Sequence, residues 1–152
     1  MASVNRGAEQ LADLGKALKK QSGTPLKKQL LAGIRKEGKL AILAARRSAT
    51  STLPSRGGLA ARVSKTPIGV RTRLSGNSAG IQVKATGKGG ASAVSEIDQG
   101  RVRHPVWGRA PWFSQPVRPG WFTKPMEAHE AQFRTSVTRV IDETARKIER
   151  SI

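Results

Sequence analysis

At 152 residues the chain has the length of one domain, enough to bury about 70% of its unfolded surface. That length argues for a single domain over 1–152 with no room for a second core. Twenty-eight Lys and Arg against 10 Asp and Glu give a net charge of +18, and zero Cys excludes a disulfide framework, a thiolate nucleophile and a thiolate zinc site. Leu, Ile, Val and Phe together make only about a fifth of the chain, a thin core set against a strong positive self-field. The composition therefore predicts a partner that adds stability by binding, either a polyanion or further copies of the same chain.

The opening segment has no apolar run of signal-peptide type, and Glu9 and Asp13 argue against an acid-poor transit peptide. The longest apolar run, LAILAA at 40–45, is too short to span a bilayer, so the expectation is a soluble intracellular protein with no membrane partner. Leu11, Leu14 and Leu18 recur at three and four residues, predicting a short N-terminal helix within 1–23, ended by Ser22-Gly23. Thr24-Pro25 then reads as a helix start, with a hydroxyl for an orphan N–H and a proline where no N–H is needed. The helix it opens runs over 24–50. At 100° per residue Leu26, Leu30, Ile34, Ala41 and Ala45 gather on one side, while Lys28, Arg35, Lys39 and Arg46 form a basic stripe on the other. Glu37 is the helix's single acid, and no stripe residue has an acid four positions before it.

From 38 to 95 there is no acid and there are ten Lys and Arg. Within this region, 54–67 reads as loop or extended chain punctuated by Gly and Pro. Ile68, Val70, Thr72 and Leu74 then alternate with Gly69, Arg71 and Arg73, and Ile81, Val83 and Ala85 alternate with Gln82, Lys84 and Thr86. SGNSAG between them suits a hairpin loop, so the two strands are predicted to pair antiparallel with Arg71, Arg73 and Lys84 on the wet face. TGKGGASAVS at 86–95 reads as a flexible loop, or one ordered by a neighbour. The stretch 96–125 holds all three Trp and five of the eight Pro, and a strand near Trp112 to Val117, flanked by Pro, would lie at a sheet edge. The last helix, 123–152, opens on Thr123-Lys124-Pro125 and carries the stripe Met126, Phe133, Val137, Val140, Ile141 and Ile148. Its pairs Glu130–Arg134, Asp142–Arg146 and Glu143–Lys147 have the acid four residues before the base. These elements define an α+β chain: N-terminal helices, a small antiparallel sheet with a basic hairpin within 54–120, and a long C-terminal helix.

Catalytic chemistry finds no candidate. His104 and His129 lack a second ligand at metal spacing, and GKGG at 87–90 lacks the preceding Gly and following Ser or Thr of a phosphate loop. Glu96 and Asp98 read as ion-pair partners of Arg101 and Arg103. The aromatic strip Trp107, Trp112, Phe113, Trp121 and Phe122 admits three readings: ordinary core, a protein–protein surface of Trp and Arg anchors, or base stacking on single-stranded nucleic acid.

The order of these elements, with LPSRGGLA at 53–60, EIDQGRVRHPVWG at 96–108 and RPGWFTKPMEA at 118–128, resembles the tail-completion, or head-to-tail connector, family of long-tailed bacteriophages. Ser55, Arg56 and Gly57 stand where that family has Asp-Thr-Gly, and Gly120-Trp121 looks like an addition. The resemblance implies a structural virion protein, assembled in the host cytoplasm, that forms a homo-oligomeric ring, expected as a hexamer. The ring would lie at the neck between a head-side connector or stopper and a tail terminator, with double-stranded DNA in its lumen. No enzymatic activity, cofactor or metal is implied. On that reading Lys28, Arg35, Lys39, Arg46, Arg71, Arg73 and Lys84 are the candidate DNA-facing residues, and Trp107, Trp112, Trp121, Phe122 and Arg118 the candidate subunit interface. A free, sequence-nonspecific nucleic-acid-binding protein is the alternative that the charge alone supports.

Overall fold

A computed structural model describes residues 2–20, 24–75, 79–87, 91–106 and 108–150. The leucine spacing near the N-terminus folds as α1 (Ala2–Lys20), and the Thr-Pro start as α2 (Thr24–Thr52). The last amphipathic stripe is α5 (Thr123–Arg150). Between them come α3 (Leu59–Ser64), β1 (Ile68–Arg73), β2 (Gly80–Ala85), α4 (Ala91–Asp98), β3 (Arg101–Val106) and β4 (Arg109–Pro116), with β1–β2 and β3–β4 forming two separate two-stranded antiparallel sheets. The chain is α+β, as its periodicities require. The Ser22-Gly23 helix end and the centre of the SGNSAG loop lie outside the described residues.

Contacts divide the chain into two compact units, one of Met1–Lys39, Val70–Lys84 and Ala131–Ile152, the other of Leu40–Gly69 and Ala85–Glu130. Each unit has its own buried hydrophobic cluster, whereas the chain length argued for one. Helix geometry supplies the reason. At 29 and 28 residues, α2 and α5 are each about 42 Å long at 1.5 Å per residue, more than one small core can cover, so different partners bury their two halves.

In the first unit Leu14 and Leu18 of α1, Leu30 and Ile34 of α2, and Val137 and Ile148 of α5 are buried together. Val70, Leu74 and Ile81 from the β1–β2 hairpin pack against them. Burial along β1 alternates residue by residue, leaving Arg71 and Arg73 exposed as the sequence predicts. Glycines set how closely these elements approach. A Cβ on Gly33 would sit 2.7 Å from Val140 Cγ1, one on Gly38 2.7 Å from Val70 Cγ2, and one on Gly15 only 2.0 Å from the Leu74 carbonyl oxygen. On α5 the spacing predicted Glu143–Lys147; the Lys147 ammonium instead donates to Gln29 Oε1 on α2 at 3.4 Å. A long side chain at a helix–helix seam reaches the neighbouring helix as readily as its own next turn.

In the second unit the cluster is built of small residues around one large ring: Ala45 and Ala49 of α2, Leu53 just beyond its end, Ala60 and Val63 of α3, Ala85, and a fully buried Trp121. Two stretches read from sequence as loops fold as helices here. Within 54–67, Arg56–Gly58 makes a tight turn in which Gly57 and Gly58 take φ of 79° and 76°, a region an L side chain resists. The turn launches α3, whose buried face is Ala60 and Val63. Within 86–95, residues from Ala91 onward form α4, which packs Val94 and Ile97 on the cluster. Both helices are too short for periodicity to stand out, and both are held by tertiary burial more than by propensity.

The exit from α4 is a second glycine turn. Gly100, at φ 92°, donates its N–H to the Ile97 carbonyl at 3.1 Å and reverses the chain into β3. Asp98 then ties this corner to α5. Its Oδ1 accepts the backbone N–H of Phe122 at 2.7 Å and of Thr123 at 3.2 Å, the Thr123 hydroxyl donates to Oδ2, and its carbonyl accepts the Gly120 N–H at 2.8 Å. The sequence reading paired Asp98 with Arg101 or Arg103. Instead the carboxylate caps the first turn of α5, where several unpaired N–H groups converge and the helix dipole favours a negative charge.

Candidate functional site

The basic candidates fall on defined surfaces. In the first unit Lys28, Arg35 and Lys39 project from the exposed side of α2, opposite Leu30 and Ile34, and span about 16 Å along the helix axis. Arg71 and Arg73 are exposed on β1, and Lys84 on β2 is half-buried. Arg46, in the second unit, is exposed on the later half of α2. Among the described residues none of these seven cations is held by a hydrogen bond or ion pair. Among the described residues their charge is therefore left unpaired, which is the condition for sequence-blind attraction to phosphate.

The aromatic candidates separate sharply. Trp121 is 0% exposed, and its ring lies 5.6 Å from that of Phe122 between centroids. It is the centre of the second unit's core, and this corrects its assignment to a subunit interface. Its indole N–H is buried with no hydrogen-bond partner among the described residues, so the ring is there for volume and apolar contact. Phe122 is half-buried against the same cluster, while Arg118 is exposed. Trp107 lies outside the described residues. Among the described residues Trp112 at 58% and Phe113 at 51% are the exposed large aromatics.

Both sit on the β3–β4 hairpin, whose strands pair Arg101 with Pro116, Arg103 with Ser114, His104 with Phe113 and Pro105 with Trp112. The Val117 N–H donates to the Gly100 carbonyl at 2.9 Å. In an antiparallel ladder the hydrogen-bonded pairs alternate, so Val102 and His104 direct their backbone groups toward β4, and Arg101, Arg103 and Pro105 direct theirs outward. Pro105 and Pro116 thus occupy positions where the ladder needs no N–H, which reconciles a proline-rich stretch with two regular strands. The edge strand expected from the sequence is present as β4, and its partner β3 extends the sheet toward Asp98. Every residue of β4 is exposed.

Beside this hairpin the second unit carries a cavity of about 1110 Å³. One wall is β3, from Arg101 through Pro105 without a gap, joined by Trp112. Val94, Glu96 and Ile97 of α4 also line the cavity, with Arg62, Lys65 and Pro67. Sequence reasoning missed this groove, because it depends on α3 and α4, which read as loops. The one signal available was the three-residue spacing of Val94 and Ile97.

His129 Nδ1 lies 3.0 Å from the Pro125 carbonyl, a contact within the first turns of α5. No cluster of three or more His, Asp or Glu that could hold a metal occurs among the described residues, and no described helix is long and apolar enough to cross a membrane. No protein-family model, curated protein or solved structure matches the chain.

Proposed function

We propose that the chain is a structural subunit of a ring at the neck of a long-tailed phage particle, joining head connector to tail and surrounding the path of double-stranded DNA. The observation that carries the reading is the set of cations on α2 and the β1–β2 hairpin that pair with no acid among the described residues, taken with the resemblance in element order and local motifs. A channel wall must attract DNA without reading bases or holding it fast. Exposed, flexible Lys and Arg side chains attract phosphate through a screened field, whereas rigid bidentate clamps would oppose passage. Oligomerisation around a polyanion also answers the energetic problem of +18 on a thin core, since binding stabilises the folded state by mass action.

The same cations would serve a free, nonspecific nucleic-acid-binding protein. Mass spectrometry of density-purified particles separates the two readings. A few copies per particle supports the neck ring, hundreds indicate capsid or tail tube, and absence favours the free binder. The free binder is further expected to bind duplex DNA tightly as an isolated chain, with a steep fall in affinity as salt rises. A particle reconstruction that placed Lys28, Arg35, Arg71 and Arg73 away from the lumen would overturn the ring reading.

A further inference from the structure

We infer that the groove along β3 receives an extended acidic segment of a partner protein, which adds to the free edge of that strand as a third strand of the β3–β4 sheet. Consecutive residues of a strand point to opposite faces, so a cavity lined by every residue from Arg101 to Pro105 runs along the edge of β3, reaching at Trp112 onto the face that this side chain shares with its pair Pro105. That edge is the side on which Arg101 and Arg103 turn their N–H and C=O groups outward, as the ladder phase set by Val117 and Gly100 requires. No further strand pairs with β3 among the described residues. An open edge of this kind is the template for strand addition, in which main-chain hydrogen bonds supply affinity and alternate side chains supply specificity.

Charge and shape define the occupant. Arg62, Lys65, Arg101 and Arg103 surround the groove and are exposed, with Glu96 the one acid in its lining. The floor between them is apolar, contributed by the buried Val63 and the half-buried Val94 and Ile97. The complementary ligand alternates carboxylates, facing the rim, with apolar side chains, facing the floor. A second copy of this chain fits poorly, since its own strands carry Arg71, Arg73, Lys84, Arg101, Arg103 and Arg109 and like charges would meet. Nucleic acid would satisfy the rim but leave both the strand edge and the apolar floor unmatched. The groove's volume of about 1110 Å³ leaves room for an extended chain segment. The inference stands on this groove alone, and holds or fails whether or not the chain belongs to a virion.

The test uses the full chain and a fluorescein-labelled peptide of about ten residues alternating Glu and Val, long enough to lie along one strand. Anisotropy at near-physiological salt should show saturable binding, with an alternating Lys–Val peptide at least about tenfold weaker. Arg101→Glu with Arg103→Glu should weaken the Glu–Val peptide at least about tenfold. Arg103→Pro removes one outward N–H and no β4 hydrogen bond, and should weaken it severalfold; if that variant misfolds, amide exchange in the native chain decides, since the Arg101 and Arg103 amides should slow on binding. Absence of saturable binding overturns the proposal, as does binding that leaves those amides unchanged. So does a groove in which DNA oligonucleotides, and not the peptide, bind in a manner abolished by the Arg101 and Arg103 reversals.

Discussion

The two units bury their apolar surface by different means. The first interleaves branched side chains from three helices and a hairpin, with Gly15, Gly33 and Gly38 letting backbones approach closely. The second sets alanines and a few aliphatic residues around a single indole, ties α4 to α5 through the Asp98 carboxylate, and leaves the β3–β4 hairpin largely in solvent. A core spread over many medium-sized side chains loses a part when one is truncated. A core centred on one ring loses its centre. The second unit thus concentrates its stability at one residue while presenting the groove and the exposed aromatics, and the first spreads its stability while presenting the uncompensated cations.

The largest expected effect tests that concentration. Trp121→Ala should destabilise the protein by about 3–5 kcal/mol, and hydrogen exchange should show protection disappearing first at amides within 40–69 and 85–130. Trp121→Phe should cost much less, since the indole N–H has no partner to lose. Equal loss across both units would mean that they unfold as one, and the contrast between them would dissolve.

Gly15→Ala probes the first unit. Removing a helical glycine gains up to about 1 kcal/mol of propensity, but the added Cβ would lie 2.0 Å from the Leu74 oxygen, and a backbone atom cannot rotate away. Net destabilisation of about 1–3 kcal/mol is expected in urea unfolding; a stabilised variant would show that the α1–hairpin approach yields freely. Asp98→Ala should cost about 1–2 kcal/mol through loss of the α5 cap, with the amides of Phe122 and Thr123 exchanging faster and those of the first unit unchanged.

The smallest effect on stability belongs to the cations. Arg71→Glu with Arg73→Glu should change unfolding free energy by no more than about 0.5 kcal/mol. If the proposed function is right, the same pair of changes should lower the salt dependence of duplex binding by up to about 0.9 for each phosphate that is no longer neutralised. An unchanged slope would remove these two residues from the DNA-facing surface.

The first unit was largely legible from sequence. Leu14, Leu18, Leu30, Ile34, Val137 and Ile148 recur at helical spacing over long segments, and Val70 and Ile81 alternate with polar residues, so local geometry already places them on one side. The second was not. Asp98 and Thr123 stand 25 residues apart, and nothing in either neighbourhood announces that they meet. Trp121 and Trp112 share composition, neighbours and strip, yet one is the core and the other is mostly in solvent. Arg101 and Arg103, read as partners of nearby acids, became part of a groove rim once Asp98 turned toward α5.

Periodicity and charge count are properties of the chain itself, so the long helices, the alternating strand β1 with Arg71 and Arg73 outward, and the excess of positive charge were determined by the sequence alone. The tertiary structure decided which aromatic is buried, that 59–64 and 91–98 are helices, that there are two cores, and that β3 has an open edge beside a basic groove. Each of these depends on groups distant in sequence competing for the same buried space or the same unpaired N–H, and that competition is settled only when the chain is packed.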